Sequence, residues 1–381
     1  MNTTLIANIK HSFINKFDSE PLMIFSPGRI NIIGEHTDYN DGFVFPAAVN
    51  KGIVAAIGKC HLNHSSAFAV DKDETIAFSL NSLKPSAEGS WQNYILGVVA
   101  EIQNRSKTIG NFNIAFGGDI PGGAGMSSSA ALENSVVFGL NELFNLGLSK
   151  EDMILISQKA EHNYVGVKCG IMDQYASMFG IENHALLLDC RTIKSKPFKI
   201  DFKDHELLLI NTNVKHSLSD SAYNDRRSVC ESIANMLQVK ALRDATEFDL
   251  KSIKDQVTPE NYQKALYVIQ ENERAVRASK AMEEGDLKTL GKLIYASHEG
   301  LRNQYKVSCE ELDFLVDQAK SNSHVLGARM MGGGFGGCTI NLIEKTETIS
   351  FKALVSKAYS NKFGKDCSFY SVKLSNGTGL I

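Results

Sequence analysis

Apolar positions along this chain fall in short runs separated by glycine, proline and acidic residues. Residues 22–25 and 30–33, Leu-Met-Ile-Phe and Ile-Asn-Ile-Ile, predict two short strands about a turn at Ser26-Pro27-Gly28. Residues 44–57 are apolar and β-branched enough to contain another strand. The period then changes. Residues 126–146 predict a helix, and Ser149-Lys-Glu-Asp152 opens a second with the spacing of a capping box, running to about Val165. A shorter helix is expected over 171–179, and the apolar run 206–212 suits a buried strand. Beyond it helices dominate. Thr258-Pro259 places proline at a first helical position, and Ser308-Cys-Glu-Glu311 repeats the capping-box spacing. Residues 338–343 and 369–374 predict strands separated by a helix that ends near Gly364. Strands and helices mix without a regular βαβ rhythm, which predicts an α+β fold. A length of 381 residues suffices for two domains. With no Pro/Gly/Ser-rich linker they should be tightly joined, as residues 1–200 and 201–381.

Composition narrows the partners. Hydrophobic residues are 43% and charged residues 22%, a soluble globular balance. The net charge of −3 comes without any basic block, so neither nucleic acid nor a membrane is an expected partner. The first residues, amphipathic with polar interruptions, lack the apolar run of a secretory signal. Seven dispersed cysteines form no Cys-x-x-Cys pair, which argues against zinc ribbons and thioredoxin chemistry. Reduced thiols and a cytoplasmic location are expected.

Four segments carry candidate chemistry. The first is Ile120-Pro-Gly-Gly-Ala-Gly-Met-Ser-Ser-Ser-Ala-Ala-Leu-Glu133. Glycines allow close backbone approach, and the helix start that follows offers unpaired N–H groups and a positive dipole end. The run reads as a phosphate cradle or, more plainly, as a small-residue turn capped by serine. It lacks the Gly-Lys-[Ser/Thr] ending of a Walker loop. The second, Ser26-Pro-Gly-Arg-Ile-Asn-Ile-Ile-Gly-Glu-His-Thr-Asp-Tyr-Asn40, delivers Arg29 and then Glu35, His36 and Asp38. A rigid set of carboxylates can read sugar hydroxyls, although a solvated turn or a metal site uses the same residue types. In the third, Glu161-His-Asn-Tyr-Val-Gly-Val-Lys-Cys-Gly-Ile-Met-Asp-Gln-Tyr175, Glu161 ends one helix and Asp173 begins the next. The fourth, Arg329-Met-Met-Gly-Gly-Gly-Phe-Gly-Gly-Cys338, contains Gly-x-Gly-x-x-Gly but precedes a strand. A dinucleotide-binding loop follows a strand and opens a helix, so this run is a backbone lid or a tight turn, and a nicotinamide dehydrogenase is excluded.

Together these segments resemble the galactokinases of the GHMP small-molecule kinase superfamily. Gly28-Arg-Ile-Asn-Ile-Ile-Gly-Glu-His-Thr-Asp-Tyr39 is similar to their N-terminal motif, and the glycine–serine loop to the superfamily's nucleotide motif. Asn211-Thr-Asn-Val-Lys-His-Ser217 and Tyr223-Asn-Asp-Arg-Arg227 extend the resemblance, which runs from about residue 20 to the C-terminus. It implies an N-terminal domain like the second domain of ribosomal protein S5, a ferredoxin-like C-terminal domain, and an active site between them. It implies ATP as co-substrate, galactose as acceptor and Mg2+ as cofactor, in an enzyme expected to act as a monomer. Asp173 would be the catalytic carboxylate, with Arg29 beside the transferred group. Glu35, His36, Asp38, Gly170 and Tyr223 would bind the sugar. Gly122, Gly123, Ala124, Gly125, Met126, Ser127 and Ser128 would cradle the nucleotide. Trp91 would lie on the adenine side, if it is not a core tryptophan. Ser129 and Glu161 would ligate the metal. Galactose is the favoured acceptor. A related C1 kinase for N-acetylgalactosamine or arabinose is the neighbouring alternative, and a non-catalytic sugar sensor the alternative of another class. The chain departs from the resemblance at Met331, where many members carry threonine.

Overall fold

The first strand, Leu22–Asn31, is one continuous element, not two strands about a turn. The Ser26-Pro27-Gly28 signal marks a bulge instead. Pairing with the strand Pro46–Lys59 shifts register between Pro27 and Arg29, as expected where proline has no N–H for the ladder. Just past the shift, the Arg29 N–H leaves the sheet and donates to the Met126 carbonyl at 3.0 Å. The bulge thus aims Arg29 at the glycine–serine loop. The computed structural model describes residues 2–87, 90–214 and 219–381, with the side chains of 219–221 outside that description. Lys215, His216 and Ser217 of the segment beginning at Asn211 therefore lie outside the described residues.

Leu22–Asn31 belongs to a six-stranded sheet ordered Gly379–Leu380, Leu22–Asn31, Pro46–Lys59, Phe112–Gly118, Ser65–Ala69, Glu74–Phe78. All neighbours are antiparallel except Ser65–Ala69 against Phe112–Gly118. Side chains alternate between its faces. Ile24, Ala55 and Ile57 pack under the helices Gln92–Asn104, Ser128–Phe144 and Lys150–Ala160. Met23, Phe25, Val54 and Ala56 face Ile9 and Phe13 of the helix Thr3–Phe17. The second sheet is antiparallel, ordered Val325–Met330, Cys338–Glu344, His205–Asn211, Ser368–Ser371. Leu207 and Leu209 face the helices Pro259–Glu283 and Leu287–Gly300, while Leu208 and Ile210 face Glu310–Lys320 and Thr348–Phe363. A three-stranded sheet of Phe43–Val44, His184–Asp189 and Lys194–Lys199 lies between.

One hydrophobic cluster joins the two halves: Ile30, Ile32, Phe45 and Ala47 pack with Leu209, Leu290, Ile340 and Leu342. The chain's end also returns to the first sheet. Ile24 pairs with Leu380, and Ser26 Oγ lies 2.8 Å from Thr378 Oγ1. Helix caps follow sequence in part. Ser149 and Asp152 form the expected reciprocal box, and Thr258 caps the helix beginning at Pro259. The box expected at Ser308 does not form. Cys309 is the N-cap, and the Ser308 hydroxyl donates to Asp313 Oδ1 at 2.5 Å.

Candidate active site

Two glycine-rich loops, residues 121–128 and 331–337, face each other across a cleft of about 580 Å³. Gly334 shows why the second loop cannot carry side chains throughout. Its φ is +89°, and a Cβ there would stand 2.1 Å from the Val307 carbonyl oxygen. The helix Ser128–Phe144 begins at the floor of the cleft, so Ser127, Ser128 and Ser129 line it with their backbone at a positive dipole end. Ser127, the N-cap, has a φ of 59°.

Arg29 and Asp173 form a fork at one end of this cleft. Nε donates to Asp173 Oδ1 at 2.7 Å and Nη2 to Oδ2 at 2.6 Å. Nη1 donates to the Gly125 carbonyl, and the Ser127 hydroxyl donates to Asp173 Oδ2. Burial alone disfavours the guanidinium charge. The carboxylates of Asp173, Glu35 and Asp38 more than offset this, so its pKa is raised. Asp173 occupies the first turn of the helix Met172–Phe179, where the dipole favours an anion.

Beyond the fork lies a smaller cavity of about 120 Å³. Arg29, Val167, Asp173, Tyr223, Gly332 and Gly333 border both. Glu35, His36, Asp38, Glu161 and Gly170 border only the smaller one. Gly170 is where the Asp38 carboxylate must rest, since a Cβ would sit 2.0 Å from Oδ2. Asp38 Oδ1 accepts from the Tyr39 N–H at 3.0 Å. Burial and then the Asp173 charge push its carboxyl up to about 7. Glu35 is fixed by Arg329, whose Nη1 donates to Oε1 at 3.0 Å, and by the Gly332 N–H at 2.8 Å. Burial and then the Arg226 charge push His36 down to about 3, so it is neutral.

Glu161 starts a single π turn, Glu161–Val165, where the preceding helix widens. The Ser129 hydroxyl lies in hydrogen-bonding reach of its carboxylate, and Gln174 Nε2 donates to Oε2 at 2.9 Å. Burial and then Asp173 push Glu161 up to about 7. Gln174 Nε2 also donates, at 3.3 Å, to Glu133, which burial holds well above the ordinary carboxylate range.

Two of the residues singled out from sequence border neither cavity. Gly122 lies on the exposed outer side of its loop. The Trp91 ring tilts on Phe116, and its Nε1–H donates to Glu74 Oε2 at 2.7 Å. Tyr94, three residues on, borders the larger cleft. Met331 is buried with Ala124 and Met126, so an apolar side chain suits its place. Arg329, Tyr94, Glu133 and Gln174 carry no signal in the sequence that marks them for the site. Arg329 opens the fourth segment, but its partner Glu35 lies 294 residues away.

Family models match the chain in three stretches: a galactokinase galactose-binding signature over 11–59, a GHMP kinase N-terminal domain over 93–181 and a GHMP kinase C-terminal domain over 278–360. A galactokinase of Thermotoga maritima is 39% identical over 94% of this chain and 100% of its own length. One from Clostridium beijerinckii is 40% identical over 98% of both. The crystal structure of Lactococcus lactis galactokinase complexed with galactose superposes with a TM-score of 0.94 at 33% identity, covering 98% of this chain and 99% of that one. A mevalonate kinase shares the fold, with a TM-score of 0.66 at 18% identity over 93% of this chain and 99% of its own.

Proposed function

The chain belongs to the galactokinase family of GHMP kinases, and from that premise we propose how its two cavities divide one phosphoryl transfer. The enzyme transfers the γ-phosphoryl group of ATP to the C1 hydroxyl of galactose, giving galactose 1-phosphate and ADP, the entry step of the Leloir pathway. The larger cleft takes ATP and the smaller takes the sugar. One observation carries this assignment: Arg29 and Asp173 border both cavities, so a group passing between them meets this pair.

Phosphoryl transfer asks for positioning and charge stabilisation. The backbone N–H groups of 123–128, at a helix start, cradle phosphates. Asp173 orients the C1 hydroxyl and accepts its proton, while Arg29 stabilises charge on the moving group. Glu35, His36, Asp38, Gly170 and Tyr223 read the sugar. Ser129 and Glu161 suit Mg2+: both are oxygen donors, and a buried carboxyl at about 7 gains from a cation beside it. Magnesium, when bound, neutralises charge on phosphate oxygens and keeps ligand positions for them and for water. Among the described residues no cluster of three or more His, Cys, Asp or Glu could hold a metal by itself, so the ion is expected to arrive with the nucleotide.

We place the enzyme in the cytoplasm as a monomer. All seven cysteines are free, as a reducing compartment would keep them, and among the described residues no helix is long and apolar enough to cross a membrane. A coupled ADP-release assay with Mg-ATP tests the substrate, comparing galactose with glucose, N-acetylgalactosamine and arabinose. Galactose should be turned over fastest. Equal turnover of glucose would remove the sugar-reading role of the Glu35–Asp38 segment.

A further inference from the structure

His36 lies in a nest of phenols. Its ring centroid is 5.9 Å from that of Tyr39, 5.3 Å from Tyr223 and 5.0 Å from Tyr305. His36 Nδ1 stands 2.8 Å from Tyr39 Oη, which stands 2.7 Å from Tyr305 Oη. Tyr305 Oη is in turn 3.4 Å from Cys230 Sγ. These groups form one hydrogen-bonded chain running away from the smaller cavity.

Each hydroxyl carries one proton, so the chain has two consistent directions. In one, the thiol donates to Tyr305, Tyr305 to Tyr39, and Tyr39 to Nδ1, leaving the ring N–H at Nε2. In the other, Nδ1–H donates outward and Nε2 is bare. Acid–base chemistry favours the first. A phenol is a stronger donor than a neutral imidazole N–H, and the unprotonated ring nitrogen is a stronger acceptor than a phenol oxygen. Burial keeps both phenols protonated and the ring neutral. Nε2 is buried without a hydrogen-bond partner. The Gly333 backbone is near enough to favour a proton on the ring but forms no bond of full geometry.

We propose that Tyr39 and Tyr305 are positioning residues that fix His36 as its Nε2–H tautomer, supplying a donor to a sugar pocket whose carboxylates only accept. The proposal rests on the sugar-binding reading of the smaller cavity. A sugar hydroxyl both donates and accepts. One that donates to Glu35 or Asp38 still has lone pairs to satisfy, and Nε2–H can satisfy one. With the opposite tautomer, His36 would be a third acceptor, and the hydroxyl would lose that bond. The ring nitrogen that carries the proton is set by the bond the other nitrogen makes.

Long-range 1H–15N correlation spectra of protein labelled at histidine test this, with His36→Gln identifying the His36 signals among ten histidines. Wild type should show the Nε2–H pattern at His36, and Tyr39→Phe should shift it toward Nδ1–H. In the same variant the galactose KM should rise about 3- to 10-fold, the worth of one hydrogen bond, with kcat within about twofold. Tyr305→Phe should move both readouts the same way by less. An Nδ1–H pattern in wild type would overturn the proposal, as would a Tyr39→Phe protein with unchanged tautomer and KM. If His36→Gln left the galactose KM unaltered while the tautomer behaved as expected, the sugar-pocket reading would fail and the relay would stand.

Discussion

At the scale of single residues, the Arg29–Asp173 fork is the centre of the assignment. Asp173→Asn keeps the shape but removes the charge and the proton acceptor. Turnover should fall about 10²- to 10⁴-fold, the range for a lost acid–base group, with circular dichroism unchanged. Turnover within a factor of a few of wild type would remove Asp173 from the reaction. Asp38 makes a second prediction. Its carboxyl rises from 3.8 to about 7 in the fold, so between those values the folded chain keeps a proton that the unfolded chain has lost. Its contribution to stability therefore falls as pH rises through that window. On the proposed sugar-reading role, Asp38 must be the ionised acceptor, so kcat/KM for galactose, at saturating Mg-ATP, should climb up to about pH 7 and then level. His36, at about 3, stays neutral throughout and adds no limb of its own. A profile flat from pH 5.5 to 8 would show that Asp38 does not govern binding. These residues were legible in sequence because Glu35, His36 and Asp38 lie within four positions of one another, and Asp173 three after Gly170. Arg329 was not, because what it does depends on a neighbour brought in only by folding.

At the scale of elements, what could be read depended on whether the cause was local. The Ser149–Asp152 box and the Thr258-Pro259 start are stated within four residues, and both formed. Ser308 had the same local spacing, yet its hydroxyl went to Asp313, next to which His298 and Arg302 are packed. A carboxylate in that helix's own first turn, held by His298 and Arg302, won over the cap. Likewise Pro27-Gly28 looked like a turn because a bulge uses the same residue types, and only the partner strand distinguishes them. The second glycine loop allows a test at this scale. Gly334→Ala puts a methyl group against the Val307 carbonyl at positive φ. It should cost about 1–3 kcal/mol of stability in thermal or denaturant unfolding and raise the KM for ATP more than that for galactose. Unchanged stability and KM values would mean that the loop has room that its contacts deny.

At the scale of the whole molecule, the α+β mixture and the two halves were expected, but not how they interlock. Strands from before and after residue 200 share one core, and the chain's end pairs back onto the first sheet. Removing residues 376–381 deletes the Ile381 N–H bond to Met23, the Gly377 bond to Gly180 and the Thr378 bonds to Ser177. At about 1 kcal/mol each, the loss should lower Tm by about 4–8 °C in a scanning calorimeter. A Tm within 1 °C of wild type would show that the tail adds nothing to the first sheet.

That pairing also sets a clock on the protein's synthesis. Leu22–Asn31, which carries Arg29, has its outer neighbour 356 positions downstream of Ile24. At the usual pace of about 5–20 residues per second, roughly 20–70 s pass before the ribosome has made Leu380. Through that interval the nascent strand presents an open edge, a template for pairing with other chains. The newborn polypeptide is therefore open to aggregation at Ile24 and Phe25, on the strand that later carries Arg29 to the cleft.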